Sequence, residues 1–158
     1  MSCPKRYIPN WPNFVSSMQL PGILLENSVE EGKIYLFRDN CPIGVKGHMH
    51  VCIKIHDRVY LFSNCTSQMK TIRRHAELTG ISLDTYPCFP ADNVNQFKEL
   101  TFINCNNVFE CSADEFVQYL DNQYIIPLGG SISAEGMSAI AKGIKLSKTV
   151  AKEVQDLF

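Results

Sequence analysis

Two histidines standing two residues apart offer the first chemistry in this sequence: His48 and His50, in the run His48-Met-His-Val-Cys-Ile-Lys-Ile55. The run alternates polar and apolar. An extended strand therefore puts His48, His50, Cys52 and Lys54 on one face and Met49, Val51, Ile53 and Ile55 on the other, the apolar four facing the core. Imidazoles so spaced stand roughly 6.5 to 7 Å apart at the backbone, near enough to serve one small site. Histidine takes up and gives back protons near neutral pH, so both are candidate acid/base residues; the plain alternative is a pair of exposed strand residues. Cys52 or Cys65 would be the third ligand of a zinc site built on this face. Nothing else in the chain has ligand spacing, and neither a metal nor a cofactor is expected.

A second polar group follows an apolar strand directly: Asn64-Cys-Thr-Ser-Gln-Met-Lys70. Thr66, Ser67, Gln68 and Lys70 bring hydroxyls, an amide and a cation to a strand end, where such groups hold a phosphate by hydrogen bonds and charge. Read alone, the stretch is equally a turn. The net charge of −1 gives no global reason to expect a polyanionic partner. The distribution differs: Lys46, Lys54, Arg58, Lys70, Arg73 and Arg74 lie between Lys46 and His75 against a single acid, Asp57, and all four histidines fall there too. That segment is either a solvated basic face or one that meets phosphates.

The elements that must position these groups are mostly strands. Gly32 precedes Lys33-Ile-Tyr-Leu-Phe37, which reads as a strand closed by Asp39-Asn40, Pro42 and Gly44. His48–Ile55 and Val59–Phe62, separated by His56-Asp57-Arg58, make a β-hairpin the simplest topology. Thr71 to Thr79 suits a short helix stopped by Gly80, and Pro87 and Pro90 mark a loop before a strand over Glu99–Asn104. Asn106-Asn107 reads as a tight turn making a further hairpin with Val108-Phe109. Ser112-Ala-Asp-Glu115 has capping-box spacing for a helix through about Leu120. Ser133 caps a second helix with Met137, Ile140, Ala141 and Ile144 on one face, and Val150 and Val154 continue toward Phe158.

A length of 158 residues, 45% hydrophobic and 20% charged, suits one domain with one core. We expect a Pro-rich arm over residues 1–30, a β-barrel core over 31–111 and a helical part over 112–158. No apolar run is long enough to span a membrane, and Met1 to Asn10 lack a signal-peptide core, so a cytoplasmic protein with no membrane partner is expected. The seven cysteines are odd in number with no CxxC pair, which argues for free thiols in a reducing compartment.

Several segments together resemble the MazF/PemK toxins. That family has a Gly-Asp-Ile-Tyr strand, a Gly-His-Arg-Pro stretch opening an apolar strand, a second strand ending in a Cys-Thr-Thr-Gln-Ser-Lys-like segment, and a helical C-terminus. Here Gly32-Lys-Ile-Tyr35, Gly47-His-Met-His-Val51, Cys65-Thr-Ser-Gln-Met-Lys70 and Gly130-Ser-Ile-Ser-Ala-Glu135 occur in the same order, across Gly32 to Ile144. The resemblance implies a small SH3-like antiparallel β-barrel with C-terminal helices, a mainly β or α+β fold. It further implies a homodimer, an antitoxin partner, and metal-independent cleavage of single-stranded RNA through the RNA's own 2′-hydroxyl. By position, Thr66 or Ser67 would hold the scissile phosphate beside Lys70, bordered by the loop from Lys46 to His48, with Gln68, Arg73 and Arg74 on the RNA. The family's arginine and proline fall on Met49 and His50. Met49 cannot stabilise charge, so the acid/base roles pass to His48 and His50, or the barrel has lost the activity.

Two other readings compete. A strand that begins with histidine also resembles NlpC/P60-type cysteine hydrolases, in permuted order, with Cys111 before the capped helix as nucleophile. The third is a non-catalytic barrel that binds a protein or nucleic-acid partner through the arm carrying Trp11 or through its basic face.

Overall fold

The computed structural model describes residues 29–158; the expected arm lies outside them except for its last two residues. Seven strands form one curled antiparallel sheet, a half-barrel, with helices packed on it. The strands are β1 Lys33–Phe37, β2 His48–His56, β3 Val59–Thr66, β4 Cys88–Phe89, β5 Thr101–Ile103, β6 Phe109–Ser112 and β7 Ile125–Ser131. The helices are α1 Met69–Thr79, α2 Ala113–Asp121, α3 Ala134–Leu146 and the short α4 Lys152–Gln155. Among the described residues no helix is long and apolar enough to cross a membrane.

The sheet order is β4-β5-β3-β2-β1-β7, with β6 on β3 as well. β2 and β3 form the expected hairpin, and its central residues Asp57 and Arg58 both have positive φ, 46° and 61°, as a two-residue turn matched to strand twist demands. The second expected hairpin is not formed. β5 pairs with β3 at Cys65↔Ile103 and β6 pairs with it at Phe62↔Phe109, so the two run along β3 as one interrupted strand. The Asn106-Asn107 turn only bulges the chain between them, held by the Ser63 hydroxyl donating to the Asn107 carbonyl at 3.0 Å. Between the C-terminal helices runs one further strand, since β7 pairs with β1 at the sheet edge. Pro127 is accommodated in β7 because an edge strand tolerates a proline whose missing N–H faces outward.

Alternate residues of the central strands feed two cores. Tyr35, Phe37, Cys52, Tyr60 and Phe62 pack with Phe116 of α2, where Phe62 and Phe116 stack at 5.6 Å. Ile34, Val51, Ile53, Leu61 and Ile103 pack with Ile140 and Ile144 of α3. β2 is thus buried on both faces, which corrects the expectation that only Met49, Val51, Ile53 and Ile55 turn inward. A third cluster, Ile72, Tyr86 and Phe102, seats α1.

The helix starts follow local chemistry. The Ser112 hydroxyl accepts from the Glu115 N–H at 3.2 Å, and the Glu115 carboxylate accepts from the Ser112 N–H at 2.9 Å, the reciprocal cap the sequence announces. Ser112→Ala is expected to destabilise the fold by about 1 kcal/mol, read as a lower urea midpoint at unchanged slope.

Candidate functional site

One cavity of about 510 Å³ opens where β2 begins and β3 ends. Its size suits a nucleotide-sized ligand. The register that pairs His50 with Asn64 carries His48 opposite Thr66, so the two stand at adjoining strand ends. Ser67 and Gln68 follow as the chain turns into α1, and all four line the cavity. Ile34 and Leu36 of β1, Met49 of β2 and Leu128 of β7 add apolar lining, with Leu36 and Met49 directly paired across the strands.

His48 is half-buried, and its Nδ1 lies 3.2 Å from the Cys65 carbonyl oxygen. A carbonyl only accepts, so Nδ1 carries the proton and Nε2 of the neutral ring keeps its lone pair. That leaves a fixed imidazole with one basic nitrogen to offer. The Thr66 hydroxyl oxygen accepts from the Gln68 N–H at 3.2 Å, which fixes the turn. Gln68 Oε1 accepts from the Thr71 hydroxyl at 3.2 Å, so its amide N–H groups remain for a ligand.

His50 occupies a different environment. It is fully buried, stacked on Phe37 with ring centroids 3.9 Å apart, and absent from the cavity lining. The Val45 N–H donates to its Nε2 at 3.0 Å, and its Nδ1–H donates to the His48 carbonyl at 3.0 Å. Both nitrogens are therefore spent on backbone. Burial, with a smaller push from His48, lowers its pKa to about 4, against a weaker opposing pull from its bond to the His48 carbonyl. The expected pairing of His48 with His50 in one acid/base site is not what the geometry provides: His50 clamps the loop that leads into His48. Gly44 makes the clamp possible, because at φ +76° a Cβ there would stand 2.7 Å from His50 Nε2 and 2.5 Å from the Phe37 ring.

The basic residues singled out from the sequence, Lys46, Lys70, Arg73 and Arg74, are not among the residues lining the cavity. Lys46 is exposed one residue before Gly47, which does line it; Lys70, Arg73 and Arg74 are exposed on α1, the helix that leaves from Gln68.

The remaining lining comes from the segment that leads into β5 and from its first residue: Asn95, Gln96 and Lys98, which the sequence reading did not single out, and Glu99 and Thr101, which it placed in a strand. This loop is tightly tied. Asp92 Oδ1 accepts from the N–H groups of Val94 (2.8 Å) and Asn95 (2.6 Å), while Asn95 Oδ1 accepts from those of Asp92 (3.2 Å) and Phe97 (2.9 Å). Asn95 Nδ2 donates to the Pro90 carbonyl at 2.9 Å, and the Ser131 N–H of β7 donates to the Val94 carbonyl at 3.0 Å. Gly130 admits that approach, since any Cβ there would collide with the Asn95 carbonyl. The available signal was a long connection rich in Asp and Asn between two strands, the kind of loop that carries function on a rigid scaffold.

Two of the cysteines bear on the candidate chemistry, Cys111 before the capped helix and Cys65 at the cavity. Cys111 is buried and its thiol is pushed up to about 12, first by burial and then by Glu115 and Cys41. Cys65 lines the cavity, yet burial pushes its thiol up as well. The six cysteines among the described residues are free. Among the same residues no three His, Cys, Asp or Glu side chains converge as a metal site would require. No family model matches the chain, and no curated protein matches it.

Proposed function

We propose that this protein is a metal-independent endoribonuclease of the MazF/PemK kind that cuts single-stranded RNA by attack of the RNA's own 2′-hydroxyl. The observation that carries this reading is the meeting of His48, its Nδ1 bonded to the Cys65 carbonyl, with Thr66, Ser67 and Gln68 in one nucleotide-sized cavity. In the reaction His48 Nε2 takes the proton of the 2′-hydroxyl, and O2′ attacks the adjacent phosphorus. The Thr66 and Ser67 hydroxyls and the Gln68 amide hold the non-bridging oxygens as negative charge grows on them. The bond to the 5′-oxygen breaks, and Lys98, the cation lining the same cavity, supplies positive charge and a proton to the departing oxygen. The products are a 2′,3′-cyclic phosphate and a 5′-hydroxyl, and water is not consumed in this step. Relative to the expectation from sequence, one histidine does the acid/base work and Lys98 takes the place given to His50. A second copy of the chain and an antitoxin that covers the cavity belong to the same reading.

The test is incubation of the purified protein with a long single-stranded RNA in EDTA, followed by end mapping. New 2′,3′-cyclic phosphate ends are expected; RNA left intact would sink the proposal and favour a non-catalytic barrel. The basic rim makes a separate prediction. With Lys70, Arg73 and Arg74 all changed to Ala, the plot of log affinity against log salt for an uncleavable single strand is expected to become shallower by about 2, at roughly 0.7 for each phosphate no longer neutralised. An unchanged slope would mean that the helix face of α1 does not meet RNA.

A further inference from the structure

Asn64 breaks the rule that buried polar atoms find partners. Its side chain is only 6% exposed, and its Oδ1 is the one buried side-chain nitrogen or oxygen among the described residues with no hydrogen-bond partner. An acceptor left unpaired in the interior weakens the fold, so a native structure that keeps one calls for an explanation. The surroundings show why no protein group pairs with it. His50 stands directly across on β2, but both of its ring nitrogens are bonded to backbone, at Val45 and His48. Phe62, on the same face of β3, and Phe37 and Phe109, which pack on the His50 ring, have no donor to give. Strand alternation puts Asn64 on the face that also carries His48 and Thr66, one residue pair inward of the cavity they line. Asn64 and His48 are thus diagonal neighbours, which in an antiparallel pair stand roughly 7–8 Å apart at the backbone, within reach of ring and long side chains.

We propose that Asn64 is a positioning residue for the proton transfer to His48, its Oδ1 being the acceptor dipole that answers the charge of the imidazolium. The inference rests on the ribonuclease reading and adds the group that supports its base. In the neutral His48 ring the Nδ1–H is spent on the Cys65 carbonyl and Nε2 is itself an acceptor, so Asn64 gains nothing from it. Once Nε2 takes the proton of the 2′-hydroxyl, the ring carries a full positive charge, and a carbonyl dipole fixed behind it lowers the energy of that state alone. Stabilisation confined to the charged state speeds the step rather than tightening the binding of RNA. Burial is what makes the dipole effective. Glu99, which lines the cavity, and Asp39, whose carboxylate lies against Gly47, are both exposed, and solvent screens their charge. Asn64 acts from the low-dielectric interior of the sheet. The oxygen that weakens the resting fold is thus the one that stabilises the transition state.

Three substitutions separate this role from a structural one. Asn64→Leu keeps the branched shape and removes the stranded acceptor, and Asn64→Val does so with less bulk, so that crowding in one is not mistaken for a lost contact. Asn64→Asp keeps an acceptor oxygen in the same place and adds a buried charge. Urea midpoints are set beside single-turnover cleavage of a long single-stranded RNA in EDTA, with the protein concentration varied. Stability and rate are expected to move in opposite directions. At least one apolar variant should unfold at a higher urea concentration than wild type, and both should cleave about tenfold more slowly at saturation, with the half-saturating concentration unchanged. Asn64→Asp should unfold at a lower urea concentration and cleave at close to the wild-type rate. Apolar variants that cleave like wild type overturn the inference, because the unpaired oxygen would then be a defect without a use. Apolar variants that are both less stable than wild type overturn it as well, since the carboxamide would be holding the fold. A folded Asn64→Asp as slow as Asn64→Leu also overturns it; if the buried aspartate prevents folding, the apolar pair decides alone. RNA left intact by the wild-type protein fells the ribonuclease reading and this inference with it, whereas wild-type cutting that the apolar variants do not slow fells the inference alone.

Discussion

His48→Ala is expected to slow RNA cleavage by about 10²–10⁴-fold, the range a positioned general base contributes. Its effect on stability is expected to be small, because the half-buried ring makes a single hydrogen bond, to the Cys65 carbonyl. His50→Ala is expected to do the opposite. It removes a fully buried ring stacked on Phe37 and leaves the Val45 N–H and His48 carbonyl without their partner, at a cost of about 3 kcal/mol. The protein that remains folded should still cleave, more slowly only insofar as the loop before His48 loosens. Single-turnover rates at saturating enzyme, set beside urea midpoints for each single variant, make the distinction. If His50→Ala abolishes cleavage while the fold stays intact, or His48→Ala cleaves at the wild-type rate, the assignment of the base to His48 is wrong. A double substitution would hide this, since a dead site and an unfolded one look alike in a cleavage assay.

What could be read from the sequence was local. The caps at Ser112 and Ser133, the stop at Gly80 and the β2–β3 hairpin each depend on residues within a few positions of one another, and each appears in the fold. The role of His50 depends on what covers β2. Alternation marks one face of a strand as apolar, and His48, His50, Cys52 and Lys54 make the other look exposed. Phe62 from β3 and Phe116 from α2, residues far along the chain, bury Cys52 on that face, and Phe37 covers His50. β7 was missed because Pro127 and two glycines carry the composition of a turn, and only pairing with β1 makes them a strand. The cavity divides in the same way. Thr66, Ser67 and Gln68 were visible as polar residues at a strand end, whereas Gln96, Lys98 and Glu99 reach the cavity through a loop anchored on β7, a meeting of segments whose sequences say nothing of each other.

The fold is expected to lose about 3 kcal/mol of stability between pH 7.5 and pH 4 through His50 alone. Burial lowers its folded-state pKa to about 4, while in the unfolded chain the ring titrates near its ordinary 6.5. Above pH 6.5 the ring is neutral in both states and the fold keeps its full stability. As pH falls below 6.5 the unfolded chain takes up a proton that the folded chain refuses, so each unit of pH costs about 1.4 kcal/mol until the folded ring titrates too. His50→Gln, which keeps a donor and an acceptor but cannot be protonated, should be less stable at pH 7.5 and yet lose less than wild type on acidification. Urea midpoints of both proteins at the two pH values isolate this contribution from that of the carboxylates, which the two share. Ring resonances give an independent check: the His50 signals should stay close to their neutral positions from pH 8 down to about 5 and indicate the Nδ1–H form over that range. A His50 titration near 6.5 would mean that the ring is open to solvent, and the clamp from Val45 through His50 to His48 would then no longer account for how His48 is held.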